Sequence, residues 1–283
     1  MHSLIVGVNT AMFDGIDADI AFRTIKEAGF HYVELAYNQG YVGNITREMF
    51  SDSHAARITS LLEKYQLNSH TLGSTMDLGA PDAVEQFRWR IEFASNIGAT
   101  YLAVCIGRRA DRDRIVSNLR ELAPVAQAHG CVICIENGGD PNYNLFSVAD
   151  DGFALLEAID HPAVAFNIDA GNIVSLCPEV DAIAETIKMI PAARHCHIKD
   201  VLRKEEGYFF PAIGAGELDY PPLLRELALN NVPCSLEIPL RMHRQRDTYP
   251  LRQAQPVDPA QSLQVLIESR ETIEGWLGRK LIC

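Results

Sequence analysis

Three carboxylates and an imidazole stand out in the second half of the chain, each in or at the end of an apolar run. They are Glu136 in VICIEN (132–137), Asp169 in VAFNID (164–169), His197 in HCHIKD (195–200) and Glu237 in CSLEIP (234–239). A charged group in a buried run is costly unless it is paired or binds a metal. An oxygen-rich set with one nitrogen and no cysteine suits a single divalent ion, Mn2+ first, with Co2+, Mg2+ or Zn2+ also accommodated. Such an ion polarises a carbonyl and stabilises the charge that develops when the neighbouring C–H loses its proton. Glu136 and Glu237 come from separate runs. One can remove that proton as general base while the other returns it as acid from the opposite face. Return to the same carbon epimerises, return to the next carbon isomerises, and loss of a β-hydroxyl dehydrates. The plainer alternative is that these acids form ion pairs with Lys199 and nearby arginines.

Other polar groups occupy similar places. Glu34 in YVELAY (32–37) and His70 in NSHTLG (68–73) are candidates for binding substrate hydroxyls, and Lys199 for holding a substrate oxygen. His195 precedes His197 by two residues. Only one of the two is expected to face inward, so His195 remains an alternative ligand. Arg241, His243, Arg244 and Arg246 cluster in one segment, where they suit either a carboxylate or phosphate group or simply solvent.

The elements that would position these groups repeat. Short β-branched runs at 4–9, 32–37, 68–73, 101–107, 132–137, 164–169, 195–200 and 234–239 alternate with helical spacing at 17–28, 46–65, 81–97, 112–129, 150–160, 180–190, 219–230 and 258–277. Gly29, Gly98 and Gly130 stand where three of the helices should stop. Near-continuous apolar strands imply a parallel sheet covered on both faces. Eight strand-then-helix units without a strand-only region predict an α/β fold: a single (β/α)8 TIM barrel filling 1–283, with its site at the C-terminal ends of the strands. The long connections 201–218 and 239–257 lie at that end and are expected to act as lids or binding loops. No Gly-x-Gly-x-x-Gly follows the first strand, which disfavours dinucleotide binding.

Composition narrows the partners. The formal net charge of −12 argues against nucleic acid. No apolar run is long enough for a membrane helix and no leader pattern is evident. The seven cysteines lack paired zinc spacing and read as buried free thiols of a cytoplasmic protein.

Taken in order, IEN (135–137), NIDAGN (167–172), HCHIKD (195–200), GAGELDY (214–220) and LEIP (236–239) resemble the xylose isomerase-like barrels, a group that includes ketose 3-epimerases, hydroxypyruvate isomerase and inosose-processing enzymes. The resemblance spans the chain. It implies one metal on Glu136, Asp169, His197 and Glu237, an acid/base pair in Glu136 and Glu237, and a substrate contact at Arg203. It also implies His197 as the inward histidine. Two positions depart from the epimerase pattern: Asn172 stands for a histidine and Asn142 for a second glutamate. The IENGG string (135–139) is closer to the inosose and modified-sugar branch. The expected activity is therefore a divalent-metal-dependent isomerase or epimerase of a small sugar, keto-sugar or cyclitol. A dehydratase of the inosose or dehydroshikimate type and a non-catalytic sugar-binding barrel are the alternatives. Relatives of this kind often form homo-oligomers.

Overall fold

The computed structural model describes residues 4–283. Eight parallel strands close into a barrel: β1 (Val6–Asn9), β2 (Tyr32–Ala36), β3 (Asn68–Gly73), β4 (Tyr101–Cys105), β5 (Val132–Glu136), β6 (Val164–Asp169), β7 (Ala193–Ile198) and β10 (Cys234–Leu236). Each pairs with the next in that order, and β10 closes on β1. The expected barrel is present. Gly29, Gly98 and Gly130 take φ of 90°, 80° and 69° just after helices end, the left-handed turn that halts a helix.

Helices cover the outside. Among the described residues they are α1 (Ala18–Glu27), α2 (Asp52–Tyr65), α3 (Ala83–Asn96), α4 (Arg112–Ala128), α5 (Ala149–Ile159), α6 (Ala170–Leu176), α7 (Ala182–Met189), α8 (Tyr220–Leu229) and α9 (Pro259–Leu277). Their inner faces bring Phe22, Ile25, Phe87, Ile91, Leu119 and Leu266 out of water against the strands. Each such side chain contributes about 1.5–3 kcal/mol on burial.

Two segments differ from the sequence expectation. The helix expected over 46–65 is broken: a 3-10 turn covers Arg47–Phe50, and Ser51 then caps α2, its Oγ accepting from the His54 amide. The helix expected over 180–190 is α7, and the short α6 precedes it directly after β6. Asp169 caps α6: its Oδ1 accepts from the Asn172 amide at 3.2 Å. The strand-end carboxylate therefore has one oxygen committed to the backbone and one facing the barrel mouth.

The two long connections are not irregular loops. Strands β8 (Leu202–Lys204), β9 (Gly207–Phe209), β11 (Met242–Gln245) and β12 (Pro250–Arg252) form an antiparallel sheet in the order β12-β11-β9-β8. Arg244 pairs with Tyr208, and the rings of Phe209 and His243 stack at 4.6 Å. Asp200 anchors one side: its carboxylate accepts backbone N–H groups from Val201, Gly214, Gly216 and Leu218. Asp14 anchors the other, pairing with Arg241 and Arg252.

Candidate metal centre and active site

Four adjacent barrel strands deliver the quartet. Glu136 and Asp169 end β5 and β6, His197 lies one residue from the end of β7, and Glu237 follows β10 directly. His197 Nδ1 is 3.2 Å from Glu136 Oε1, 3.4 Å from Glu237 Oε2 and 3.8 Å from Asp169 Oδ2. All four residues are buried, and their ligand atoms lie within 4.8 Å of one another. Ligands bound at about 2.1 Å to one ion sit roughly 3–3.5 Å apart, so side-chain shifts of about 1 Å would close the four groups on a single divalent ion. The donor set supports the fit: three buried carboxylates and one imidazole, with Asp169 Oδ2 held by ion-pair contacts and no hydrogen bond.

Lys199 stands among the carboxylates. Its Nζ is 2.7 Å from Asp169 Oδ2 and 2.6 Å from Glu237 Oε2. The first approach is an ion-pair contact without hydrogen-bond direction; the second is a hydrogen bond. The ion-pair arrangement weighed against metal binding is thus present for two of the three acids. The protonation pattern shows the strain of the cluster. Burial, with Glu237 and Glu136 nearby, pushes Asp169 up to about 6 despite Lys199. Burial also raises Glu237, but His197, Lys199 and Arg244 outweigh it and hold it at about 2. Burial lowers His197, yet Glu237, Glu34 and Glu136 together carry it well above the usual imidazole range. Three buried acids in one cluster invite a further cation.

Below the quartet, a polar network fills the barrel. His197 turns Nε2 to Glu34 Oε1 at 3.0 Å, and Asn9 Nδ2 donates to the same oxygen at 2.9 Å. Burial raises the Glu34 carboxyl, but the charge on His197 outweighs it and the net direction is down. His195 also faces inward. Its Nδ1 meets Asn167 Oδ1 at 2.9 Å and its Nε2 meets Ser235 Oγ at 3.0 Å. The expectation that only one histidine could face the centre is corrected here, because residues two apart on a strand point to the same side. Burial holds His195 neutral, down to about 3.

The neighbouring asparagines order the acids. Asn137 Nδ2 donates to the Asp169 carbonyl and its Oδ1 accepts from the Asp169 amide, stapling β5 to β6. Asn172 Nδ2 donates to Glu136 Oε1 at 3.0 Å. A cavity of about 20 Å3, room for about one water, is lined by residues including Tyr41, Glu136, Asn172, Lys199, Glu237 and Arg244. Arg244 enters from β11.

The other sequence candidates lie elsewhere. Glu34 is fully buried beneath the quartet and does not line the cavity. His70 packs its ring on Tyr32, centroids 4.7 Å apart, also away from the cavity. Arg203 lies on β8 with its side chain half exposed and paired to Glu217. Tyr41 carried no sequence signal, since it is placed by the loop after β2. Arg244 had one, as a member of the arginine cluster, but nothing local distinguished it from its neighbours.

A sequence model described as xylose isomerase-like TIM barrel matches residues 22–264. A search of curated protein sequences returns no match. Among solved structures, the D-allulose 3-epimerase of Methylomonas sp. in complex with D-allulose superposes with a TM-score of 0.70 at 18% identity, covering 97% of this chain and 98% of that one. The 3-keto-D-glucoside 4-epimerase of E. coli gives 0.69 at 17%, covering 95% and 99%. The probable 3-DHS dehydratase of Bacillus anthracis gives 0.66 at 17%, covering 83% and 92%. The matched motifs, the closed barrel and the whole-chain superpositions agree: the chain belongs to the xylose isomerase-like TIM-barrel family.

Proposed function

We propose that this protein is a divalent-metal-dependent isomerase or epimerase of a small sugar or keto-sugar. The observation that carries the reading is the convergence of Glu136, Asp169, His197 and Glu237 at the C-terminal mouth of the barrel. Bound there, a divalent ion, Mn2+ first, would supply a Lewis acid for the substrate carbonyl. Glu136 receives Asn172 and faces His197 through Oε1, which leaves Oε2 for a substrate proton. Glu237, steadied by Lys199, approaches from β10. One carboxylate takes the proton beside the carbonyl and the other returns it. The Lys199 ammonium also stands close enough to the acids to stabilise negative charge on a substrate oxygen.

Elemental analysis of the purified protein tests this reading, comparing wild type with Glu237→Gln. About one metal per chain, reduced in the variant, supports it. A folded protein that takes up no metal after incubation with Mn2+, Co2+, Mg2+ and Zn2+ refutes it. A screen of ketoses and keto-sugars with the metal-loaded protein then separates the chemistries. An isomer or epimer keeps the substrate mass, whereas a dehydratase product has lost water.

A further inference from the structure

We infer that Arg244 is a built oxyanion subsite of this cavity, and that the substrate it selects is a keto-sugar bearing a carboxylate. The inference rests on the keto-sugar reading above and narrows it to a class of substrate.

Arg244 is only 2% exposed, and it lines the same cavity as Glu136, Lys199 and Glu237. The other lid arginines with ion pairs have acids to meet: Arg241 and Arg252 reach Asp14, and Arg246 reaches Glu205. Lys199 has Asp169 and Glu237. Among the described residues Arg244 has no carboxylate at ion-pair distance. Its fixed partners are neutral: Nη1 donates to Ser175 Oγ at 2.9 Å and Nη2 to Asn172 Oδ1 at 2.6 Å, with the Phe210 ring 5.3 Å away. Its Nε is buried with no hydrogen-bond partner. Glu237 lies near enough to feel its charge, but a buried guanidinium with no carboxylate in direct contact is costly, so an anion from outside would complete the site.

The surroundings hold the guanidinium in place. A Cβ at Gly139 would collide with Arg244 Nη1, so only glycine leaves room for the guanidinium there. Ser175 Oγ donates to the Gly139 carbonyl at 2.7 Å, tying the loop after β5 to α6 and to the guanidinium. Asn172 links Arg244 to Glu136, donating to the carboxylate while accepting from the arginine. The second glycine of IENGG and the asparagine at 172 are thereby parts of one arrangement that aims a cation at the reacting groups. Two of the five guanidinium N–H groups are taken. Those that remain can fork onto a flat two-oxygen carboxylate.

The test is calorimetric titration of the metal-loaded protein with matched compounds. D-fructose is compared with 2-keto-D-gluconate, which replaces one terminal CH2OH by a carboxylate, and with D-fructuronate, which does so at the other end. D-fructose 6-phosphate is the phosphate control. At least one acid should bind about tenfold to a hundredfold tighter than D-fructose. Arg244→Met should erase that preference, so that the variant binds the acids no tighter than it binds D-fructose. Gly139→Ala, which displaces the guanidinium without removing it, should weaken the acid in the same direction. Equal binding of acids and ketose, or a preference that survives Arg244→Met, overturns the inference while leaving the metal reading intact. Preferred binding of the phosphate also overturns the choice of carboxylate. A protein that holds no metal and binds none of these compounds fails at the earlier step, together with the proposed function.

Discussion

Replacing Glu34 by glutamine should weaken metal binding rather than substrate binding. The carboxylate is buried on β2 and touches the quartet only through His197, whose Nε2 lies 3.0 and 3.2 Å from its two oxygens. Asn9 holds Oε1 at 2.9 Å and so fixes the carboxylate. A carboxylate partner on one imidazole nitrogen keeps the proton there and leaves the other nitrogen free to ligate. Here the other nitrogen is Nδ1, which faces Glu136, Asp169 and Glu237 and meets Asn167 Nδ2 at 3.1 Å. The amide introduced by Glu34→Gln would keep an oxygen for Asn9 and His197 but lose the charge. The loss is the difference between a charge-assisted and a neutral hydrogen bond, about 1–1.5 kcal/mol, or roughly tenfold in metal affinity. Glu34→Ala strands both donors and should cost about a hundredfold. Mn2+ affinity measured by competition with a chelator, with circular dichroism as a fold control, reads both. An unchanged Mn2+ affinity in Glu34→Gln, with a raised KM for substrate instead, would refute the positioning role and return Glu34 to direct contact with substrate.

Three further outcomes follow from the same geometry. Lys199→Met removes the ammonium that sits between Asp169 and Glu237; metal should bind about tenfold tighter and turnover should fall, since the repulsion and the charge on the substrate oxygen go together, and looser metal binding would contradict this. Asp200→Ala leaves four backbone N–H groups of the 201–218 segment without their acceptor, which should cost about 3 kcal/mol or more and lower the melting temperature by roughly 6–10 °C; an unchanged melting curve would show that water replaces the carboxylate. Asp14→Ala releases Arg241 and Arg252, so limited proteolysis within 239–257 should speed up by about tenfold while metal content stays at the wild-type level, and wild-type resistance would mean that the sheet itself holds the lid.

Much of the fold could be read from local pattern. The eight barrel strands fall inside the eight apolar runs apart from a shift at β7, which begins two residues early and ends at Ile198. Helix ends at Gly29, Gly98 and Gly130 were marked by the one residue that tolerates their backbone. Helix α6 was not legible: seven residues with a glycine inside carry too little periodicity, and its N-cap, Asp169, already served as the end of a strand.

The quartet was legible for a related reason. Acids in the apolar runs marked Glu136, Asp169 and Glu237, the family resemblance singled out His197, and barrel closure brings successive strand ends together. The sequence therefore determined the barrel, its order and the three converging acids, and the resemblance carried by its motifs added His197. The tertiary structure decided what surrounds them. Lys199 enters the cluster, Glu34 supports His197 from below, and segments about 40 residues apart pair into a sheet that carries Arg244 to the cavity. Those contacts join residues distant in the chain, and no local spacing encodes them; only closure of the barrel and pairing of the two lids specify which side chain meets which.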